Sequence, residues 1–304
     1  MIFEIKVYYY IVNPTAGGRQ FEKIQDELLA SLKLKKIEGE IARTTTKGEA
    51  KKLAKMGVSK GARVIVAVGG DSTIEEVLNG IIESEKAGVA LGIIPTGKNN
   101  YFSNLLGVSD WQVGVNTLAS GKIKKIDVAQ AGDYYFVSSL DFGFPLTLES
   151  TFNKYRQKLN FWKRFRITSD VVEKFNPIKL RLKVANHYWA DLEVFAGSFG
   201  NTFFFNRPES FKISPNFEDQ KLQALFLHSF EQKNLWYKAW DFSKGFYRSV
   251  NQYSLIKEKR FLIEGKQEIN FRTAAYNFSS KKLSLTLHPK ALSVIIKPLE
   301  SQKE

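Results

Sequence analysis

Three short loops of this 304-residue chain carry the residue types that hold phosphate. Gly69-Gly70-Asp71-Ser72-Thr73 directly follows the apolar run Val64–Val68, and a helix is expected from Ser72 or Thr73. A buried strand that ends in a glycine turn before a helix aims unsatisfied backbone N–H groups at the loop, which suits an anion. Asn13-Pro14-Thr15-Ala16-Gly17-Gly18 follows an earlier strand; Pro14 fixes a turn, and the glycines let backbone approach a ligand. Pro95-Thr96-Gly97-Lys98-Asn99-Asn100 adds a lysine and two side-chain amides. Asp71 is the single acid in the three loops. It either caps the helix that follows or meets phosphate through a cation such as Mg²⁺. Lys98 either neutralises a phosphate or is simply solvated.

The elements that must position these loops alternate in type. Strands are expected at Ile5–Val12, Gly39–Ala42, Val64–Val68 and Ala90–Ile94. Helices are expected at Phe21–Leu34, Gly48–Met56, Thr73–Ser84, Tyr101–Leu106 and Trp111–Ala119. Such alternation predicts a parallel sheet with helices on both faces. All three loops then lie past strand carboxyl ends, at the edge where these sheets bind ligands. From about Lys124 short strands dominate, interrupted by helices near Tyr155–Glu173 and Gln232–Arg248. The predicted fold is α/β: a Rossmann-like parallel-sheet domain over residues 1–125, with about 292–304 as a candidate to complete it, and a C-terminal antiparallel β-sandwich domain over 126–291.

Composition narrows the partners. The formal net charge of +14 favours polyanions, namely nucleic acid, anionic lipid or phosphorylated ligands, or serves solubility alone. No helix-turn-helix, RNA-recognition or zinc-finger pattern supports nucleic acid. The chain has no cysteine, which excludes disulfides and thiolate metal sites and fits a reducing cytoplasm. His187, His228 and His288 are scattered on strands and read as structural. No apolar run reaches the ~20 residues of a membrane helix. Met1–Val7 reads as part of a first strand, without the basic leader or cleavage site of a signal peptide.

Phe152–Arg166 interleaves basic and aromatic residues. At helical spacing Phe152, Tyr155, Leu159 and Trp162 share a face, with Lys154, Lys158 and Arg164 largely elsewhere. That composition fits either a helix lying on an anionic membrane surface or a packed helix with a solvated basic face. Leu235–Phe242, with Phe246 and Tyr247, is a second aromatic segment of this kind. An exposed strand edge could also pair two copies as a homodimer.

In order and separation the three loops resemble the catalytic domain of the diacylglycerol kinase family, to which bacterial lipid kinases and sphingosine kinases belong and NAD kinases are distantly related. Asn13-Pro14-Thr15-Ala16-Gly17 is similar to the family's Asn-Pro-x-Ser-Gly. Gly69-Gly70-Asp71-Ser72-Thr73 is similar to its Gly-Gly-Asp-Gly-Thr. Pro95–Ser103 is similar to its Pro-x-Gly-Thr-x-Asn-Asp-Phe-Ala, and His288–Val294 to its closing strand. The resemblance implies two domains, with ATP on the first and a membrane lipid hydroxyl presented at the cleft by the second. It implies nucleotide contacts at Asn13, Pro14, Thr44, Gly69, Gly70, Asp71, Ser72, Thr73, Gly97, Lys98 and Asn100, with Mg²⁺ held partly by Asp71, which also counts as catalytic. It implies a cytoplasmic protein peripherally associated with a membrane.

The chain departs from the family pattern at several points. Ser72 stands for a glycine, a change costing about 1 kcal/mol or more if that position needs positive φ. Lys98 stands for the third motif's Thr, and Tyr101 for its Asp. The Asp-Gly of a second-domain metal loop appears as Asp219-Gln220, which makes Asp219 the candidate metal ligand. In the register set by His288-Pro289, the Asp-Gly-Glu thought to supply the base appears as Ala274-Ala275-Tyr276, so Tyr276 occupies the base position. A second register offers Glu264-Gly265-Lys266 and makes Glu264 the catalytic candidate; Glu268 and Asp141 are further substitutes. The alternatives to an ATP-dependent lipid kinase are an impaired relative acting as a nucleotide- or lipid-binding module, and a soluble kinase of NAD or a sugar phosphate.

Overall fold

The computed structural model describes residues 8–155, 159–185, 189–200, 216–228, 239–240, 242 and 252–297. The chain divides into two units. The first runs through Val128 and takes in Tyr134–Val137 and the segment from His288; the second comprises Ala129–Asp133 and Ser138–Leu287. The sequence reading placed these divisions at 125 and about 292.

In the first unit, strands β1 (Tyr8–Val12), β2 (Gly39–Arg43), β3 (Val64–Gly69) and β4 (Ala90–Pro95) pair in parallel in the order β2-β1-β3-β4. Ser293 and Val294 of the last strand continue the parallel pairing beside β4. Strands β1, β3 and β4 are buried along their whole length, which explains their unbroken apolar sequence. Each fully buried Val or Ile adds about 1.5–3 kcal/mol relative to exposure. Edge strand β2 is largely exposed. Helices α1 (Ala16–Leu34), α2 (Glu49–Ser59), α3 (Asp71–Ile82), α4 (Tyr101–Leu105) and α5 (Trp111–Ser120) alternate with the strands. Helix α2 buries Ala50, Ala54, Gly57 and Val58, the spacing of one helical face.

Strands β5 (Lys122–Ala131) and β6 (Tyr134–Phe136) carry the chain toward the second unit. There β7 (Ser139–Gly143), β8 (Ile178–Val184), β9 (Trp189–Gly200), β10 (Leu222–His228), β11 (Tyr253–Glu258), β12 (Arg260–Arg272) and the first part of β13 (Asn277–Ile296) pair antiparallel. Where a sandwich of two sheets was expected, the pairing runs as one path, β11-β10-β9-β7-β12-β13, with β8 joining β9 and β12. Phenylalanines fill the core: Phe142 contacts the rings of Phe199, Phe226 and Phe271. Residues 261–264 and 269–272 belong to one strand, β12, whose register shifts between Glu264 and Ile269.

The expected single helix across Tyr155–Glu173 is two helices, α6 (Phe144–Asn153) and α7 (Phe161–Lys174). Asn160 starts the second: its side-chain oxygen accepts from the backbone N–H of Lys163 at 2.9 Å, a cap that outcompetes continuation of the first helix. Phe152, Tyr155, Leu159 and Trp162 therefore do not form one helix face. Met1–Val7, Arg156–Lys158, His187 and most of the aromatic segment over Gln232–Arg248 lie outside the described residues.

Candidate nucleotide-binding site

The first loop is fixed from both sides. The backbone N–H of Asn13 donates to the Val68 carbonyl at 2.9 Å, and its side-chain amide donates to the Thr73 hydroxyl at 3.0 Å. The Asn13 side-chain oxygen accepts from the backbone and hydroxyl of Thr15 at 3.1 and 2.9 Å. Asn13 thus ties the loop that Pro14 turns to the start of α3. Thr44 is buried beside the loop, its backbone N–H on the Val12 carbonyl at 2.9 Å and its hydroxyl toward the same oxygen at 3.4 Å.

The three loops then pack backbone against backbone. The Thr96 N–H donates to the Gly69 carbonyl at 3.0 Å. A Cβ on Gly97 would lie 2.4 Å from the Gly70 Cα, and one on Gly17, at φ +58°, would lie 2.2 Å from the Thr96 carbonyl oxygen. No side chain fits at either contact, which is the physical reason for glycine there. Helix α3 begins at Asp71 with Gly70 as its N-cap and no side-chain cap. Its first-turn N–H groups at Asp71, Ser72 and Thr73 have no intrahelical acceptor, and the helix dipole adds partial positive charge at the same point. An anion is the natural partner for this end.

Asp71 does not cap its own helix. Its two carboxylate oxygens accept from the backbone N–H groups of Tyr101 (3.0 Å) and Phe102 (2.9 Å), the first amides of α4. The acid of the second loop thereby holds the third loop in place by charge-assisted bonds. Asn100, at φ 53°, closes the third loop on itself: its side chain accepts from the Gly97 N–H and donates to the Gly97 carbonyl, both at 3.0 Å. Gly97 therefore shapes the site while its own amide is already used. Lys98 is exposed and makes no ion pair among the described residues. Ser72 sits inside α3 and is absent from the positive-φ positions, so the strain expected of serine there does not arise.

Two residues of this region were missed in the sequence. Thr96 is buried, and its hydroxyl lacks a hydrogen-bond partner among the described residues. Glu76 is buried on α3, and its carboxylate accepts from the Gly48 and Ala50 N–H groups at 2.9 and 3.2 Å, fixing the start of α2 behind Thr44. The signal available was the acid pair Glu75-Glu76 inside the largely apolar stretch Ile74–Ile82.

The other expected site residues lie in the second unit. Glu264 on β12 bonds Lys282 at 2.7 Å and faces Arg181 at 3.8 Å. The hydrogen bond from Lys282, reinforced by the two positive charges, holds its carboxyl below the usual carboxylate value. A carboxylate so satisfied is a poor proton acceptor, and its role is a cross-strand ion triad. Ala274-Ala275-Tyr276 forms the turn between β12 and β13: the Thr273 N–H donates to the Tyr276 carbonyl at 2.9 Å, and the Tyr276 N–H to the Thr273 hydroxyl at 3.0 Å. Asp141 is buried and accepts from the hydroxyls of Ser139 (2.8 Å) and Ser198. Asp219 accepts from the Lys221 N–H at 3.1 Å in an exposed turn. Among the described residues no group of three or more His, Cys, Asp or Glu gathers as a metal centre would require. With Asp71 engaged by two amides, the described side chains do not fit a protein-held Mg²⁺ shell; a nucleotide would have to bring most of the ligands.

Residues 8–131 match the diacylglycerol kinase catalytic domain, the span that contains all three loops. Over 130 residues the chain is 33% identical to a diacylglycerol kinase of Bacillus subtilis (strain 168), covering 42% of this chain and 43% of that protein. A Staphylococcus haemolyticus diacylglycerol kinase is 32% identical over 129 residues, 42% and 39% of the two chains. The matched region thus spans less than half the length of these curated relatives. In fold the likeness is wider. A diacylglycerol kinase structure from Bacillus anthracis str. Sterne aligns over 96% of this chain and 97% of its own, with a TM-score of 0.70 and 19% identity. Yeast NADH kinase complexed with NADH aligns over 97% and 84%, with a TM-score of 0.50 and 8% identity. Residues 8–131, with their three loops and parallel strands, are thus similar to the diacylglycerol kinase catalytic domain.

Proposed function

We propose that the chain is an ATP-dependent lipid kinase with a weakened catalytic apparatus. The observation that carries the reading is the uncapped start of α3, set between two glycine-tight loops, the second of which carries exposed Lys98. ATP would supply the γ-phosphoryl group. A lipid hydroxyl oxygen would bond to that phosphorus as the bond to the departing ADP breaks, with the hydroxyl proton passing to water. The α3 amides and Lys98 hold phosphate oxygens. Asp71 acts by positioning the third loop through Tyr101 and Phe102.

The acceptor is a membrane lipid, and we place the protein in the cytoplasm, peripherally bound. No described helix is long and apolar enough to cross a membrane. The support is a patch on the second unit where Trp162 is 69% exposed, Tyr155 50% and Trp240 39%. Phe161 packs its ring against both Trp162 and Trp240, and the exposed cations Lys163, Arg164 and Arg166 share helix α7 with Trp162. Aromatic rings with basic neighbours suit an anionic headgroup layer.

A second reading is favoured by one set of observations: the turn at Ala274–Tyr276 carries no carboxylate, and Glu264 is tied to two cations. Loss of a general base slows such reactions about 10²–10⁴-fold, and positioning alone retains part of phosphoryl transfer. On that reading the chain binds nucleotide or lipid with negligible turnover. The test supplies the intact chain with labelled ATP, Mg²⁺ and vesicles containing diacylglycerol. Slow formation of labelled lipid supports the kinase. Bound ATP without labelled lipid supports the binding module, and neither binding nor product overturns both.

A further inference from the structure

The second unit holds a cavity of about 820 Å³, within the range of small-ligand sites. Its origin is a gap in strand pairing. Strand β12 pairs with β8 through Phe261–Gly265 and with β7 only at Phe271 and Arg272. On that edge Lys266–Asn270 has no ladder partner among the described residues, and these residues line the cavity. The floor is apolar, with Ile269 and Phe271 buried and Phe278 stacked on Phe271. The rim is polar and mostly uncharged: Asn153, Asn176, Asn270 and Asn277 all line it. Its charges nearly cancel. Arg272 is bonded to Glu149 at 2.5 Å, Lys179 lies 3.7 Å from Glu193, and one further cation, Lys266, and one acid, Glu268, line the cavity.

The Asn270 side-chain oxygen already accepts from the Ser279 hydroxyl at 2.6 Å, which leaves its NH2 group, the amides of Asn153, Asn176 and Asn277, and the unladdered strand edge to offer donors and acceptors together, the complement of hydroxyl groups. A ligand with one hydroxyl and two esters would leave most of them unsatisfied. The apolar floor asks for hydrocarbon. Chain continuity points to a membrane source: Asn153 lines the cavity two residues before exposed Tyr155, and Phe175-Asn176-Pro177 lines it directly after α7, the helix of exposed Trp162. We propose that this cavity binds a lipid with a neutral, hydroxyl-rich headgroup of the glycosyl or polyol type. The proposal rests on the lipid-kinase reading only for the role of that lipid as acceptor; binding itself is independent of turnover.

The test is calorimetric titration of the intact chain, without nucleotide, using octyl glucoside below its micelle-forming concentration, monooctanoylglycerol, dioctanoylglycerol and free glucose. Octyl glucoside is expected to bind at least ~10-fold more tightly than dioctanoylglycerol, because polar groups built for hydroxyls penalise a ligand lacking them. Ser150→Trp, at the cavity wall, is expected to weaken octyl glucoside at least ~10-fold and Asn277→Ala by a smaller factor, both with unchanged far-ultraviolet dichroism. Equal or tighter binding of dioctanoylglycerol, or indifference to both substitutions, overturns the headgroup assignment. Glucose binding as tightly as octyl glucoside overturns the lipid assignment. Absence of kinase activity leaves these binding results intact, so the two readings fail separately.

Discussion

Asp71 was legible in the sequence as the one acid of the phosphate loops, but its partners were not. Capping of the following helix is a local property; accepting from Tyr101 and Phe102 requires two loops thirty residues apart to meet, and only the glycine contacts in three dimensions bring that about. Asp71→Ala strands two amides at the start of α4. The expected result is a loss of about 1–3 kcal/mol in urea unfolding, together with weaker ATP binding; unchanged stability would remove the latch from the account. Glu264 was legible as the acid of a second possible register, but its partners were not: Lys282 and Arg181 reach it from neighbouring strands. Its folded-state carboxyl lies below the ordinary 4.5, so its ionised form is favoured by folding. The stabilisation is complete above pH 4.5 and is lost as the pH falls through the lower folded value. Glu264→Gln should therefore be less stable than the parent at neutral pH, with the gap closing in acid, and should leave turnover nearly unchanged. A large loss of turnover at equal stability would restore Glu264 as a base.

At the scale of elements, the strand–helix alternation of the first unit was readable because β1, β3 and β4 are covered on both faces and each ends in a marked turn. The close meeting of the second and third loops was not readable, since glycine spacing alone does not say what a glycine touches. Gly97→Ala drives a methyl toward the Gly70 Cα and should separate the loops, costing about 1–3 kcal/mol and lowering ATP affinity. Ser72→Gly is the contrasting case. It relieves no strain and should only lose about 0.5–1 kcal/mol of helix stability. Equal effects of the two substitutions on ATP affinity would contradict this placement of the loops. In the second unit the aromatic-basic stretch was read as one helix because its spacing fits a helix. Asn160 carried the contrary signal, a cap residue three positions before an amide that needs one. The polar run Lys266-Gln267-Glu268 likewise hid the continuity of β12, because a bulge breaks the two-residue alternation that marks a strand.

For the whole molecule, a net charge of +14 gave a preference for anions without naming one. The structure adds direction, by setting exposed Trp162 and Trp240 beside exposed cations on the second unit. Sedimentation with anionic vesicles should pull down the chain, less so at high salt because the Debye length shortens, and less so for Trp162→Ala. Binding insensitive to both salt and Trp162 would place the docking face elsewhere. The central claim remains that an anion-binding helix start, formed by three loops, holds nucleotide phosphate. It is tested most directly by backbone amide NMR of the deuterated chain titrated with ATP and, separately, with adenosine. The N–H signals of Asp71, Ser72 and Thr73 should shift strongly with ATP and little with adenosine. ATP binding that leaves those three amides unmoved would contradict the account.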